Sequence, residues 1–86
     1  MTNEHGKVLK QLREKAGLTQ AAFARGLGYT TPQFISNWET GKSRPPVSKF
    51  NKLAKMYGVK VDVFIDMHVE HTRKRIERVL KVKRRN

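Results

Sequence analysis

The sequence predicts an all-α fold: five short helices followed by a basic, helical C-terminal extension. Three observations carry this. Apolar residues recur at three- and four-residue spacing along most of the chain. Glycines 17, 28, 41 and 58 stand where successive apolar stripes stop. Two-residue alternation appears only in Val59–Val63, too short for a convincing strand, and reads as the turn into the last helix.

The first helix is expected from about Asn3 to Lys15, with Val8, Leu9, Leu12 and Ala16 on one face. Gly17 suits the residue after the helix, where a positive φ is needed. Thr19 is a good N-cap for the second helix, whose buried stripe is Phe23, Ala24 and Leu27 and whose stop is Gly28. Thr31-Pro32 opens the third helix as a cap followed by proline at the first helical position. Ile35 and Trp38 point inward from it, and Gly41 ends it. Arg44-Pro45-Pro46 is an extended connector, because the residue before a proline avoids the helical region. Ser48 is expected to cap the fourth helix, with Phe50, Leu53, Ala54 and Tyr57 inside and Gly58 as its stop. The fifth helix starts between Lys60 and Asp62 and buries Phe64, with Ile65 a second candidate.

Composition narrows the function classes. Eighty-six residues suffice for one small domain with a thin core. Nineteen Lys and Arg against seven Asp and Glu give a net charge of +12, which points first to nucleic acid and second to an anionic membrane. The plainer reading is charge kept for solubility. Cysteine is absent, so disulfides, thiol nucleophiles and Cys-ligated zinc are excluded. No apolar run suits a membrane span or a secretory signal, so a cytoplasmic protein, nucleoid-associated when bound to DNA, is expected.

The functional signal lies in residues 19–46: two short helices around a tight turn, then a glycine stop and a basic loop. The major groove of duplex DNA admits one α-helix and shows a distinct donor and acceptor pattern for each base pair. The third helix has the layout for reading it. Thr31, Gln33, Ser36 and Asn37 face away from Ile35 and Trp38. Gln33 and Asn37 are four apart, on one face, and an amide can bond adenine bidentately. Gln33 is the first candidate for base reading and Asn37 the second, followed by Ser36 and Thr31. A solvated polar face is the alternative for the amides, and simple capping for Thr31. Thr30, Thr31 or Pro32 are placed to touch a thymine methyl. Thr30, Lys42, Ser43 and Arg44 are candidates for the phosphate backbone, where contacts fix register without carrying sequence information.

These residues also carry a family resemblance. Leu12-Arg13-Glu14-Lys15-Ala16-Gly17-Leu18-Thr19-Gln20, Phe23-Ala24, Leu27-Gly28, Ile35-Ser36-Asn37-Trp38-Glu39, Gly41-Lys42 and Pro45 resemble the λ-repressor-like, or XRE-type, helix-turn-helix family over roughly residues 6–66. The resemblance implies a five-helix domain that binds double-stranded DNA. It implies that Gln20 contacts phosphate at the start of the second helix. It also implies a partly buried ion pair between Arg13 and Glu39, with a direct Arg13–phosphate contact as the rival. One departure stands out: eleven steps separate Leu27 from Trp38 where the family usually has ten, so the turn Tyr29–Pro32 carries an extra residue. Phe34 either fills space created there or is an exposed apolar contact.

Proteins of this type generally bind as two-fold dimers. Val61, Ile65 and Val69 are candidate dimer contacts. The domain is expected over residues 1–71, with a basic tail over 72–86 holding eight Lys or Arg and one Glu. That tail reads as a phosphate-binding arm, as a helix pairing with its twin through Val69, Ile76 and Val79, or as a disordered end. Membrane binding ranks low because its apolar face lacks Trp and Phe.

No cofactor, metal site, catalytic constellation or inducer-binding domain is expected. His68 and His71 lack converging partners and read as surface histidines. The expectation is a non-enzymatic transcriptional regulator of repressor or controller type. The alternatives are an antitoxin-type DNA-binding protein with a protein partner, and a protein- or RNA-interaction adaptor on the same fold.

Overall fold

The computed structural model describes residues 4–81. Asn3, the expected start of the first helix, and the last five residues of the basic tail lie outside them. The elements are α1 (Glu4–Lys15), α2 (Gln20–Gly26), α3 (Gln33–Glu39), a 3-10 turn (Val47–Lys49), α4 (Phe50–Tyr57) and α5 (Asp62–Leu80). No strand occurs among the described residues.

One device closes the first four helices. After α2, the Gly28 amide donates to the Arg25 carbonyl and the Tyr29 amide reaches back to Ala24 at 2.9 Å. This Schellman pairing requires a left-handed residue, and Gly28 has φ +86°. Gly17, Gly41 and Gly58 stand in the same position in their helices, each with positive φ. At the other end of α2, the Thr19 hydroxyl accepts from the Ala22 amide at 3.0 Å.

Two expected caps differ from the structure. Pro32 occupies the N-cap of α3 rather than its first turn, its carbonyl accepting from the Ser36 amide. The Thr31 hydroxyl reaches the Gln33 amide only at 3.4 Å, so the extra turn residue moves the helix start one position on. Ser48 lies inside the 3-10 turn and does not cap α4, which carries no side-chain cap.

The core joins all five helices through Leu9, Phe23, Ala24, Leu27, Ile35, Trp38, Phe50, Leu53, Ala54, Tyr57 and Phe64. Phe23 stacks on Tyr57 with centroids 4.4 Å apart, and Phe64 sits 5.5 Å from Tyr57 and 5.6 Å from Phe50. The buried face of α1 is rotated from the expected stripe: Gly6, Leu9 and Arg13 are buried, Leu12 packs at the rim, and Val8 and Ala16 are exposed. The reason is Arg13, a charged residue that occupies an inward position.

α5 is 19 residues long, about 28 Å at the helical rise of ~1.5 Å per residue, in a molecule whose long axis is 41 Å. It runs unbroken through residue 72, where the basic stretch begins, and none of residues 72–81 is buried.

Candidate nucleic-acid interface

α3 owes its position to contacts on its inner side. Ile35 is fully buried and Trp38 nearly so, which leaves Gln33 exposed and Ser36 and Asn37 half-exposed on the opposite side. The Gln33 Nε2 group donates to Asn37 Oδ1 at 2.9 Å. This (i, i+4) bond uses one amide hydrogen of Gln33, and an amide side chain has a second hydrogen and an acceptor oxygen besides. Two amides that the sequence placed on one face are thus joined into a single polar unit.

A buried ion pair holds α3 against α1. Arg13 Nε donates to Glu39 Oε2 at 2.6 Å and Arg13 Nη2 donates to Glu39 Oε1 at 3.0 Å, a bidentate fork. The third guanidinium nitrogen, Nη1, donates to the Leu18 carbonyl at 2.8 Å. Both side chains are more than nine-tenths buried. The hydrogen bonding of the guanidinium to the Glu39 carboxylate holds the Arg13 pKa above its ordinary value against the opposing pull of burial. Gln20 extends this cluster, its Nε2 donating to Glu39 Oε1 at 3.0 Å. α1, the start of α2 and the end of α3 therefore meet on one carboxylate, and the Arg13 fork is turned inward.

The turn carrying the extra residue is organised by Tyr29, which sequence reasoning did not single out. Its ring lies 4.7 Å from Phe34 and 6.0 Å, edge-on, from Trp38. The Lys49 ammonium sits 5.1 Å from its centroid, a cation–π contact. Burial pushes the Tyr29 phenol above its ordinary pKa. Phe34, half-exposed, thus stacks on the enlarged turn. The signal available in the sequence was two aromatic residues five apart across an insertion, too loose a spacing to pair them.

The loop after α3 separates the expected phosphate residues. Lys42 and Ser43 are exposed, while their backbone amides fold back onto the Asn37 carbonyl at 2.9 and 3.3 Å. Thr30 and Thr31 are exposed beside the start of α3. Arg44 departs from the expectation of a cation facing the DNA backbone. Its side chain turns under α5, where Nη2 donates to the Met67 carbonyl at 3.3 Å. Burial lowers its pKa, with Glu70 opposing. A packed proline follows it, so the chain direction at Pro45 aims the guanidinium inward.

Of the candidate dimer contacts, Val61 is half-buried against the core, whereas Ile65 and Val69 are exposed. His68 packs edge-on against Phe50, with ring centroids 5.9 Å apart. His71 has its pKa lowered by burial first and by nearby Arg44 second. Among the described residues no cluster of three or more potential metal ligands occurs, and no helix is long and apolar enough to cross a membrane.

Comparison with known proteins finds no match among curated proteins or solved structures. A family model described as helix-turn-helix does match, over residues 9–64. That span begins at the first core leucine, ends at the core phenylalanine of α5, and takes in the Arg13–Glu39 pair and all of α3. On that match and this geometry, the chain belongs to the λ-repressor-like, XRE-type helix-turn-helix family of DNA-binding regulators.

Proposed function

We propose that this chain binds double-stranded DNA sequence-specifically as a transcriptional regulator of repressor or controller type, two copies to a site. The observation that carries this is the joined Gln33–Asn37 amide pair on the outer face of a helix whose inner face is locked into the core. In the major groove the free Nε2 hydrogen of Gln33 would meet adenine N7 and its Oε1 would accept from N6. Asn37 holds that amide in one orientation beforehand, which reduces the ordering cost of binding. Ser36 and Thr31 flank the pair and extend the reading face.

Lys42, Ser43 and Thr30 border α3 and would contact phosphates on either side of the groove. Gln20 retains one amide hydrogen beyond its bond to Glu39, and that hydrogen is available to a phosphate. Arg75 and Arg78, exposed on the outer half of α5, and Lys81, exposed just past its end, supply a basic arm.

Selection of bound duplexes from a random pool at roughly physiological salt tests the reading, because nonspecific binding is weak there. A two-fold symmetric motif is expected. Binding that fades with salt and enriches no motif would overturn it and direct attention to a protein or RNA partner. On the selected site, Gln33→Ala is expected to cost about 1–3 kcal/mol and to relax discrimination at one base pair. Equal loss on random DNA would make Gln33 a backbone contact.

The arm is tested separately. Replacing Arg75, Arg78 and Lys81 by Gln should reduce the slope of log affinity against log salt by about 0.9 for each residue that neutralises a phosphate. An unchanged slope would remove the arm.

A further inference from the structure

Arg13 and Arg44 both turn inward, but they end differently. Arg13 forks onto the Glu39 carboxylate and donates its third nitrogen to the Leu18 carbonyl. Among the described residues, Arg44 has the Met67 carbonyl as its acceptor, from Nη2 at 3.3 Å, and its buried Nε has none. A guanidinium drawn out of water without an anion is costly, so its surroundings favour one.

Arg44 forms part of the wall of a cleft of about 130 Å³, bounded by the start of α1, the loop after α3, and α5. The cleft has an apolar floor and a basic rim. Leu9, Trp38, Phe50 and Phe64, all buried, form the floor. Lys74 and Arg78, both exposed, stand at the rim with Glu70. The Glu70 carboxylate is already shared by Lys74 Nζ and His5 Nε2, each at 3.3 Å, so it opposes an incoming anion only weakly. Glu4 is the other carboxylate of the lining, and with Glu70 it is outnumbered by Arg44, Lys74 and Arg78.

Size and walls together select a ligand. An apolar cavity of ~150 Å³ takes up a benzene ring. A free phosphate or a DNA phosphodiester would meet Arg44 and leave the apolar floor wet. A neutral ring would cover the floor and leave the guanidinium unpaired. We propose that the cleft binds a small organic carboxylate, its anionic end on Arg44 and its apolar body, about one six-membered ring in size, against Leu9, Trp38, Phe50 and Phe64. The site stands apart from the DNA reading, since neither the outer face of α3 nor a second copy enters it. An occupant ties the loop that carries Lys42 and Ser43 to α5.

Benzoate is the probe, titrated into the full chain at constant ionic strength, with calorimetry for affinity and amide NMR shifts for location. A chain of net charge +12 attracts any anion, so two matched probes separate the cleft from general charge. Benzamide keeps the ring without the charge, and inorganic phosphate keeps the charge without the ring. Benzoate is expected to bind about tenfold more tightly than either, the factor that one hydrogen bond to a charged group supplies. It is also expected to shift the amides of Gly6, Gly41 and His71, which line the cleft. Arg44→Gln is expected to weaken benzoate about tenfold. Arg78→Gln, at an exposed position that spares the core, is expected to weaken it about threefold. Circular dichroism follows the fold of both variants, and should Arg44→Gln unfold, Arg78→Gln and the matched probes decide.

Equal binding of benzoate and benzamide would overturn the pairing with Arg44. Phosphate as tight as benzoate would overturn an organic ligand. Shifts scattered over surface lysines, with full affinity kept in the variants, would reject the cleft altogether. Each of these results leaves the DNA reading to its own selection experiment.

Discussion

Replacing Glu39 by alanine is expected to lower the unfolding free energy by about 3–5 kcal/mol, because it strands the Arg13 charge in a buried slot. The Leu18 carbonyl would then be the remaining acceptor of those the guanidinium now bonds. A domain of this size has only about 4–13 kcal/mol in total, so the loss takes a large share. The matched apolar change, Arg13→Met with Glu39→Met, is expected to recover most of it, since it removes both desolvation costs together. Denaturant unfolding of the three proteins supplies the comparison. A loss below about 1 kcal/mol for Glu39→Ala would mean that water reaches the pair and that it behaves as a surface bridge. The double variant also separates stability from function. Should it fold as well as the parent and yet bind its selected DNA site more weakly, the pair sets the angle of α3.

Phe23→Ala is the second large effect, expected at about 3–5 kcal/mol from lost transfer energy plus a cavity that a small core cannot refill. Phe23 is fully buried and stacks on Tyr57 at 4.4 Å, so its removal uncouples α2 from α4. Loss of near-ultraviolet ellipticity and a fall in the denaturant midpoint would report it. Phe23→Leu should cost far less, because it retains most of the volume. Nearly equal losses for the two variants would show that ring stacking outweighs filled volume at this position.

Both predictions bear on α3, which has seven residues and cannot persist alone. Its outer face, proposed above to read bases, is held in place because Ile35 and Trp38 are buried beneath it and Glu39 is clamped at its end. Weakening either support is expected to weaken DNA binding without any change to the proposed reading residues themselves.

Features governed by neighbours along the chain were legible in the sequence. Helix ends follow from glycines that tolerate positive φ, the start of α2 from the Thr19 hydroxyl, and the core from apolar spacing that matches the helical period. The shared face of Gln33 and Asn37 belongs here too, since residues four apart on a helix must be neighbours. The Arg13–Glu39 pair was reached only through the family resemblance, because no local rule joins residues 26 apart.

Tertiary structure alone decided the rest. It turned Arg44 under α5 onto a carbonyl 23 residues away and drew Gln20 onto Glu39, and neither target is local. It rotated the buried face of α1 toward Arg13, which hydrophobicity alone assigns to the surface. It seated Phe34 on Tyr29 in the enlarged turn and moved the start of α3 by one residue. It also packed Val61 against the core while leaving Ile65 and Val69 outside. Periodicity states that a helix has an apolar stripe; which of two stripes meets the core depends on the helices packed against it.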